Sequence, residues 1–201
     1  MRASQIHLLT PIVTAVAMWC GPAAAHEQPV TTPAARFVQA TLDRTLVLVR
    51  PPVSPESGAD LATLIRSTID WPALTQFAVG RYGADLSAEH MNGATDKLEG
   101  QMEALARRAG ADLPTMTVAI HDMRVDPDGA RRVLSTATVP RFGEVEVEWT
   151  LVPTPTGYLI ADIKALGMTL RQFLRSWIAG LVAAEGGNAA AVFDHRDVAS
   201  P

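Results

Sequence analysis

EVEVEWTLVPTPTGYLIADIKALGMTLRQFLRSWIAGLV, residues 144–182, decides the fold. Val145, Val147, Trp149 and Leu151 alternate with Glu146, Glu148 and Thr150, the period of a strand with one buried and one wet face. Pro153-Thr154-Pro155-Thr156-Gly157 reads as the turn, where the prolines should end the ladder and Gly157 should take positive φ. A second strand, residues 158–165, returns antiparallel. Gly167 breaks the run and Thr169 is placed to cap a helix. In that helix Leu170, Phe173, Leu174, Trp177, Ile178, Leu181 and Val182 recur at helical spacing. The product is a hairpin feeding an apolar-faced helix, with no catalytic signature.

Working outward to the N-terminus, residues 1–25 read as a cleaved signal peptide. Arg2 is the positive start, residues 8–20 are mostly apolar, and Ala23-Ala24-Ala25 offers an A-x-A cleavage site. The run is interrupted by Thr10, Pro11 and Thr14 and is too short to span about 30 Å of hydrocarbon. Trp19 before Cys20 speaks against lipid attachment. Cleavage after Ala25 would remove the only cysteine, so stability must come from a packed core. The expected destination is therefore outside the cytoplasm, by export. The formal charge of −4 becomes −5 without Arg2, and no Lys/Arg cluster with interleaved aromatics appears, which argues against nucleic acid. A monomer is expected.

Residues 26–33 read as a linker, residues 34–195 as one domain, and residues 196–201 as a disordered tail. Phe37, Val38, Leu42, Leu46 and Val49 form one helical face, ended by Pro51, Pro52 and Pro55. Gly58 opens the next segment, helical over residues 60–69 through Leu61, Leu64, Ile65 and Ile69. Asp70 can cap a short helix with an early Pro72, and Gly80 and Gly83 break the chain after it. Ser87 is an N-cap for the longest helix, with Leu86 and Met91 at hydrophobic-staple positions and Gly110 at its close. Residues 116–125 and 132–139 are strands joined by Asp126-Pro127-Asp128-Gly129. Asn188 can cap a last short helix. Helices, then four consecutive antiparallel strands, then a helix make an α+β fold.

The histidines show no metal-ligand spacing, and no cofactor or metal is expected. His121 and Asp122 are strand neighbours and should point to opposite faces. Tyr158 and Asp162 should share a face, where a buried carboxylate beside a phenol could serve as acid and base. The simpler reading is that Asp162 ties down a loop or sits at the strand edge.

Three blocks in order resemble the MlaC family: residues 69–87 (IDWPALTQFAVGRYGADLS), 145–170 (VEVEWTLVPTPTGYLIADIKALGMTL) and 171–193 (RQFLRSWIAGLVAAEGGNAAAVF). The family's Leu-Gly-Arg-Tyr helix end corresponds to Val79-Gly80-Arg81-Tyr82, although its usual Trp-Arg is replaced by Gly83-Ala84. Its Trp-Lys-Ile-x-Asp-Val strand corresponds to residues 158–163 and its Glu-Gly-Val-Ser-Leu to residues 166–170. The resemblance implies an NTF2-like fold, a curved four-stranded antiparallel sheet with helices on one face around an apolar pocket. It also implies a periplasmic carrier of phospholipid, or of a hopanoid-like lipid. Such a carrier works between an outer-membrane lipoprotein complex and an inner-membrane MCE/ABC transporter complex, and is not an enzyme. In this frame Asp162 is a structural position. The expected lining is Leu64, Ile65, Ile69, Leu74, Phe77, Val118, Ile120, Val147, Trp149, Ile160, Met168, Phe173 and Trp177, with Arg81 and Arg171 near a head group and Gly167 as a hinge. Two alternatives stand beside it: a protein-only adaptor with a filled core, and an exported enzyme using Asp162 and Tyr158.

Overall fold

The computed structural model describes residues 31–50, 54–109, 116–139 and 143–194. The expected signal peptide, most of the linker, Pro51, Pro52, Gly110 and the tail with His195 lie outside the described residues. The chain runs α1 (Pro33–Leu48), α2 (Pro55–Thr68), α3 (Trp71–Val79), a 3-10 segment (Gly80–Asp85) and α4 (Ala88–Ala109). Then come β1 (Thr117–Val125), β2 (Arg131–Val139), β3 (Gly143–Thr154), β4 (Gly157–Ala165), β5 (Met168–Thr169), α5 (Leu170–Ala184) and α6 (Ala189–Phe193). The strands form one antiparallel sheet in the order β1-β2-β3-β4-β5.

The sheet therefore has five strands, not four. The fifth is the two-residue β5, produced where the chain turns back at Leu166 and Gly167. Both have positive φ, 53° and 78°, as a tight two-residue hairpin demands. Gly167 is thus a turn residue, and its expected role as a hinge is a separate matter of motion.

Local chemistry sets most helix ends. The side chains of Thr32, Ser54, Asp70, Thr169 and Asn188 each accept an N–H from the first turn of α1, α2, α3, α5 and α6. Ser87 does the same at α4, accepting from His90 N at 3.2 Å. Ser54 also sets a correction: α2 begins at Pro55, so Pro55 and Gly58 lie inside the helix rather than before it. Proline is tolerated there because the first helical N–H groups have no partner. Likewise Pro153 does not end the β3–β4 ladder, which continues to Thr154 opposite Gly157. The β2 ladder stops at Leu151, so the missing Pro153 N–H costs no bond on that side.

Two β-bulges change which side chains face the helices. In β1, Ile120 pairs with Ser135 but Asp122 pairs with Leu134, leaving His121 as the extra residue. Ile120 and Met123, three apart, consequently face the same side. In β4, Leu151 pairs with Ile160 but Thr150 pairs with Asp162, leaving Ala161 extra. Ile160 and Ile163 then share the inner face.

These bulges overturn two expectations. His121 and Asp122 do not oppose one another: His121 turns to the outer face with Asp122, and its Nε2 lies 3.4 Å from Glu146. Tyr158 and Asp162 do not share a face, because the extra residue between them inverts the alternation. Tyr158 stacks at a tilt on Phe37, with ring centroids 5.9 Å apart. Asp162 Oδ1 accepts the backbone N–H groups of Ile163 at 2.9 Å and Arg171 at 3.1 Å. It ties the start of α5 to the sheet, where a carboxylate also suits the helix dipole.

One core joins helices to sheet. Leu61, Leu74, Leu98, Leu151, Leu174, Ile178 and Phe193 are almost wholly buried in it. Leu174, Ile178 and Val182 make the buried stripe of α5 at four-residue spacing, and that helix packs mainly on α3. The crossing is close at Gly80, where φ is +53° and an added Cβ would lie 3.0 Å from Arg175 Nη2. Gly80→Ala forces an alanine to positive φ while the end of the Arg175 side chain moves aside, and urea unfolding should show a loss of about 1–3 kcal/mol.

Candidate functional site

The concave face of the sheet does not close completely against the helices. Between them lies a cavity of about 360 Å³. Leu42 from α1, Leu64, Ile65 and Ile69 from α2 and the residue after it, and Met102, Leu105 and Ala106 from α4 form the helical wall. Met116, Val118, Ala137, Val147, Trp149, Ile160 and Ile163 come from β1–β4 and the residue preceding β1. Its volume is at the lower end of the ~300–1,000 Å³ typical of small-molecule sites.

Polar groups at its wall are spent elsewhere. Thr41, Thr45 and Thr68 also line the cavity. Their hydroxyls donate to the carbonyls of Phe37 at 2.9 Å, Thr41 at 2.8 Å and Leu64 at 2.7 Å, each four residues back in the same helix. Trp149 Nε1 donates to Ser135 Oγ at 3.0 Å, and that buried hydroxyl donates to the Val147 carbonyl at 3.2 Å. What remains for an occupant is hydrocarbon, so contacts there are apolar and shape-based.

A charged latch spans two of the lining helices. Arg66 on α2 meets Glu99 on α4 through Nε at 2.8 Å and Nη2 at 2.7 Å, both to Oε2. Glu99 is only 7% exposed. Its hydrogen bond, then its charge, raises the Arg66 pKa above the ordinary guanidinium value. Far from the cavity, on the outer sheet face, hydrogen bonds from the Arg124 side chain and the Met123 N–H hold the Asp122 carboxyl below the usual carboxylate range.

The structure brings seven of the thirteen expected lining residues to the cavity: Leu64, Ile65, Ile69, Val118, Val147, Trp149 and Ile160. The other six lie elsewhere. Leu74 is fully buried in the core, and Ile120 packs against the same core from β1. Phe77 sits under Arg171 and Arg175, and Phe173 and Trp177 are half-buried on α5 against the core. Met168 projects outward, 53% exposed, from β5. For Phe173 and Trp177 the reason is one turn of chain: the β4–β5 hairpin carries α5 to α3 and away from the cavity wall. Arg81 and Arg171 are also outside the lining.

Among the lining residues that sequence reasoning missed, Met102 and Leu105 had a signal in the apolar stripe of α4. Ile163 had none, because its face depends on the Ala161 bulge. The threonines read as polar until their hydroxyl bonds are seen.

The chain is thus an α+β domain with a five-stranded antiparallel sheet and an apolar cavity under a helical layer. The chain matches the MlaC protein family over residues 53–194 and belongs to that family. Among solved structures it is similar to a phospholipid-binding protein from Ralstonia solanacearum, determined in complex with a phospholipid. The TM-score is 0.61 at 20% identity, over 79% of this chain and 92% of that one. No curated protein sequence matches the chain.

The Trp149–Ser135 bond gives a direct check on the wall. Ser135→Ala strands the indole N–H beside the cavity and should cost about 1–3 kcal/mol in urea unfolding. Ser135→Thr, which keeps the hydroxyl, should lose less.

Proposed function

We propose that the protein binds phospholipid through its acyl chains in the cavity and carries it through the periplasm. The observation that carries this reading is the apolar cavity between the concave sheet and α1, α2 and α4. Membership of the MlaC family supports it, as does the phospholipid held by the structurally similar Ralstonia solanacearum protein. A hopanoid-like amphiphile is the alternative cargo.

The physical task is to keep hydrocarbon out of water. Each buried methylene is worth about 0.8 kcal/mol, so about 25–30 of them exposed together would cost on the order of 20 kcal/mol. Free diffusion of such a lipid is therefore slow, and a protein that covers its chains throughout transit removes the obstacle. The cavity is small for two full acyl chains. Loading a diacyl lipid then requires the helical layer to rise from the sheet, and the Arg66–Glu99 latch on the α2–α4 seam is the contact such a movement would strain. In this reading the lipid passes between an outer-membrane lipoprotein complex and an inner-membrane MCE/ABC transporter complex, with no chemical step in the carrier.

The geometry favours this over the two alternatives. An adaptor that binds only protein calls for a filled core, whereas the concave face here borders open space. The enzyme reading called for Tyr158 and Asp162 on one face, and the bulge separates them.

Native mass spectrometry of the purified protein, followed by lipid extraction, tests the proposal. Co-purified or reloaded phospholipid is expected at one molecule per chain. A protein that arrives empty and takes up neither phospholipid nor a hopanoid would end it. Ala106→Trp, which fills the cavity from α4, should cut lipid retention at least tenfold, while Leu166→Ala at the exposed turn should leave it unchanged.

A further inference from the structure

We infer that Arg171 and Arg175 over Phe77, with Arg81 beside Gly80 on the α3–α5 side, form a docking patch for the anionic surface of a phospholipid bilayer. Arg171 and Arg175 lie on successive turns of α5, and their Cζ atoms stand 5.7 and 5.4 Å from the centroid of the Phe77 ring. Arg175 continues across Gly80, the residue before Arg81. Arg81 in turn lies 5.0 Å from the Tyr82 ring centroid and donates from Nη2 to Tyr82 Oη at 3.0 Å.

Among the described residues, these three arginines stand over aromatic rings, whereas Arg36, Arg44, Arg50, Arg108 and Arg131, which also form no ion pair, do not. Arg66, Arg107, Arg124 and Arg132 each meet a carboxylate. Among the described residues no carboxylate is ion-paired with Arg81, Arg171 or Arg175. Asp162 takes the Arg171 backbone N–H rather than a guanidinium, so the neighbouring cations still repel one another, and a surface that brings negative charge relieves that repulsion.

The guanidinium groups are also held in place. Phe77 fixes two of them, the Ala161 carbonyl accepts from Arg171 Nε at 3.0 Å, and Tyr82 fixes the third. Most of their N–H donors remain unspent, and a planar fork held beforehand loses little entropy on meeting phosphate oxygens.

A bilayer is favoured over an acidic protein by the residues next along the chain. Lys164 is exposed and pairs in the ladder with Thr169, the cap of α5. Between them the β4–β5 turn presents Met168, 53% exposed and two residues before α5, whereas Leu166 shares a groove with Glu144, Glu146 and Glu148 and stays out of the contact. Cations beside an apolar tip suit the headgroup boundary, where charge meets phosphate and hydrocarbon enters the interface. The patch does not line the cavity, so this inference stands independently of the cargo.

Co-sedimentation with phosphatidylcholine vesicles, with and without phosphatidylglycerol, tests it. Binding is expected only when phosphatidylglycerol is present, and it should weaken with added salt. The Arg81→Gln/Arg175→Gln double variant should lower partition about 25-fold, each cation near the surface being worth about fivefold. Arg81→Lys/Arg175→Lys should retain it, which separates charge from folding. Equal binding to both vesicle types would overturn the inference, as would undiminished binding by the glutamine variant. Arginine-dependent capture of a polyglutamate peptide without vesicle binding would assign the patch to a protein and overturn it as well. A protein that loads no lipid yet docks through its arginines would instead refute the cargo proposal alone.

Discussion

Sheet and helices are tied together at the β4 bulge around Ala161. The Ile160 carbonyl accepts the Asp70 N–H at 2.9 Å, and Ile69 forms a parallel bridge with Ile160. The α2–α3 junction is thereby fixed to the sheet. One residue on, the Ala161 carbonyl takes Arg171 Nε, and Asp162 takes the Arg171 N–H, so α5 is fixed there too. An extra residue in a strand frees backbone and side-chain groups from the regular ladder, and here those groups are spent on holding three helices. The small, buried Ala161 lets the chains approach this closely.

The cavity arises from the same device. A bulge bends its strand and increases local twist, and this sheet has one in β1 and one in β4, on either side of β2 and β3. The inner face therefore curves around Ala137, Val147 and Trp149, while α1, α2 and α4 bridge over it. Curvature leaves room that straight helices cannot fill. The wall is apolar because its hydroxyls and its indole N–H are bonded within the protein. Burial without such bonds would penalise an apolar ligand as much as it penalises the fold.

Charge is divided in a similar way. On the outer sheet face Arg132 bridges Asp126 at 2.6 Å and Glu148 at 2.8 Å, and Glu146 accepts from Thr136 at 2.8 Å. On that face the carboxylates outnumber the cation that bridges them. Arg171 and Arg175 over Phe77 instead form no ion pair among the described residues, which sets positive charge beside α5 rather than around the cavity.

The sequence alone determined the order of the helices and of the four long strands, the caps at Asp70, Ser87, Thr169 and Asn188, and the α+β class. Those depend on local periodicity and on turn chemistry: Asp70, Thr169 and Asn188 cap because of their own side chains, and Val145, Val147, Trp149 and Leu151 alternate because a strand has period two. It could not show which apolar residues face open space. Ile163 joins the cavity, and Tyr158 and Asp162 part, through one inserted residue whose effect exists only against the partner strand. Phe173 and Trp177 leave the cavity wall because a two-residue turn sends α5 to α3. Apolar residues that fill a core and those that line a cavity have the same composition and spacing. Only the curvature of the sheet and the path of the chain, which are tertiary properties, decide between them.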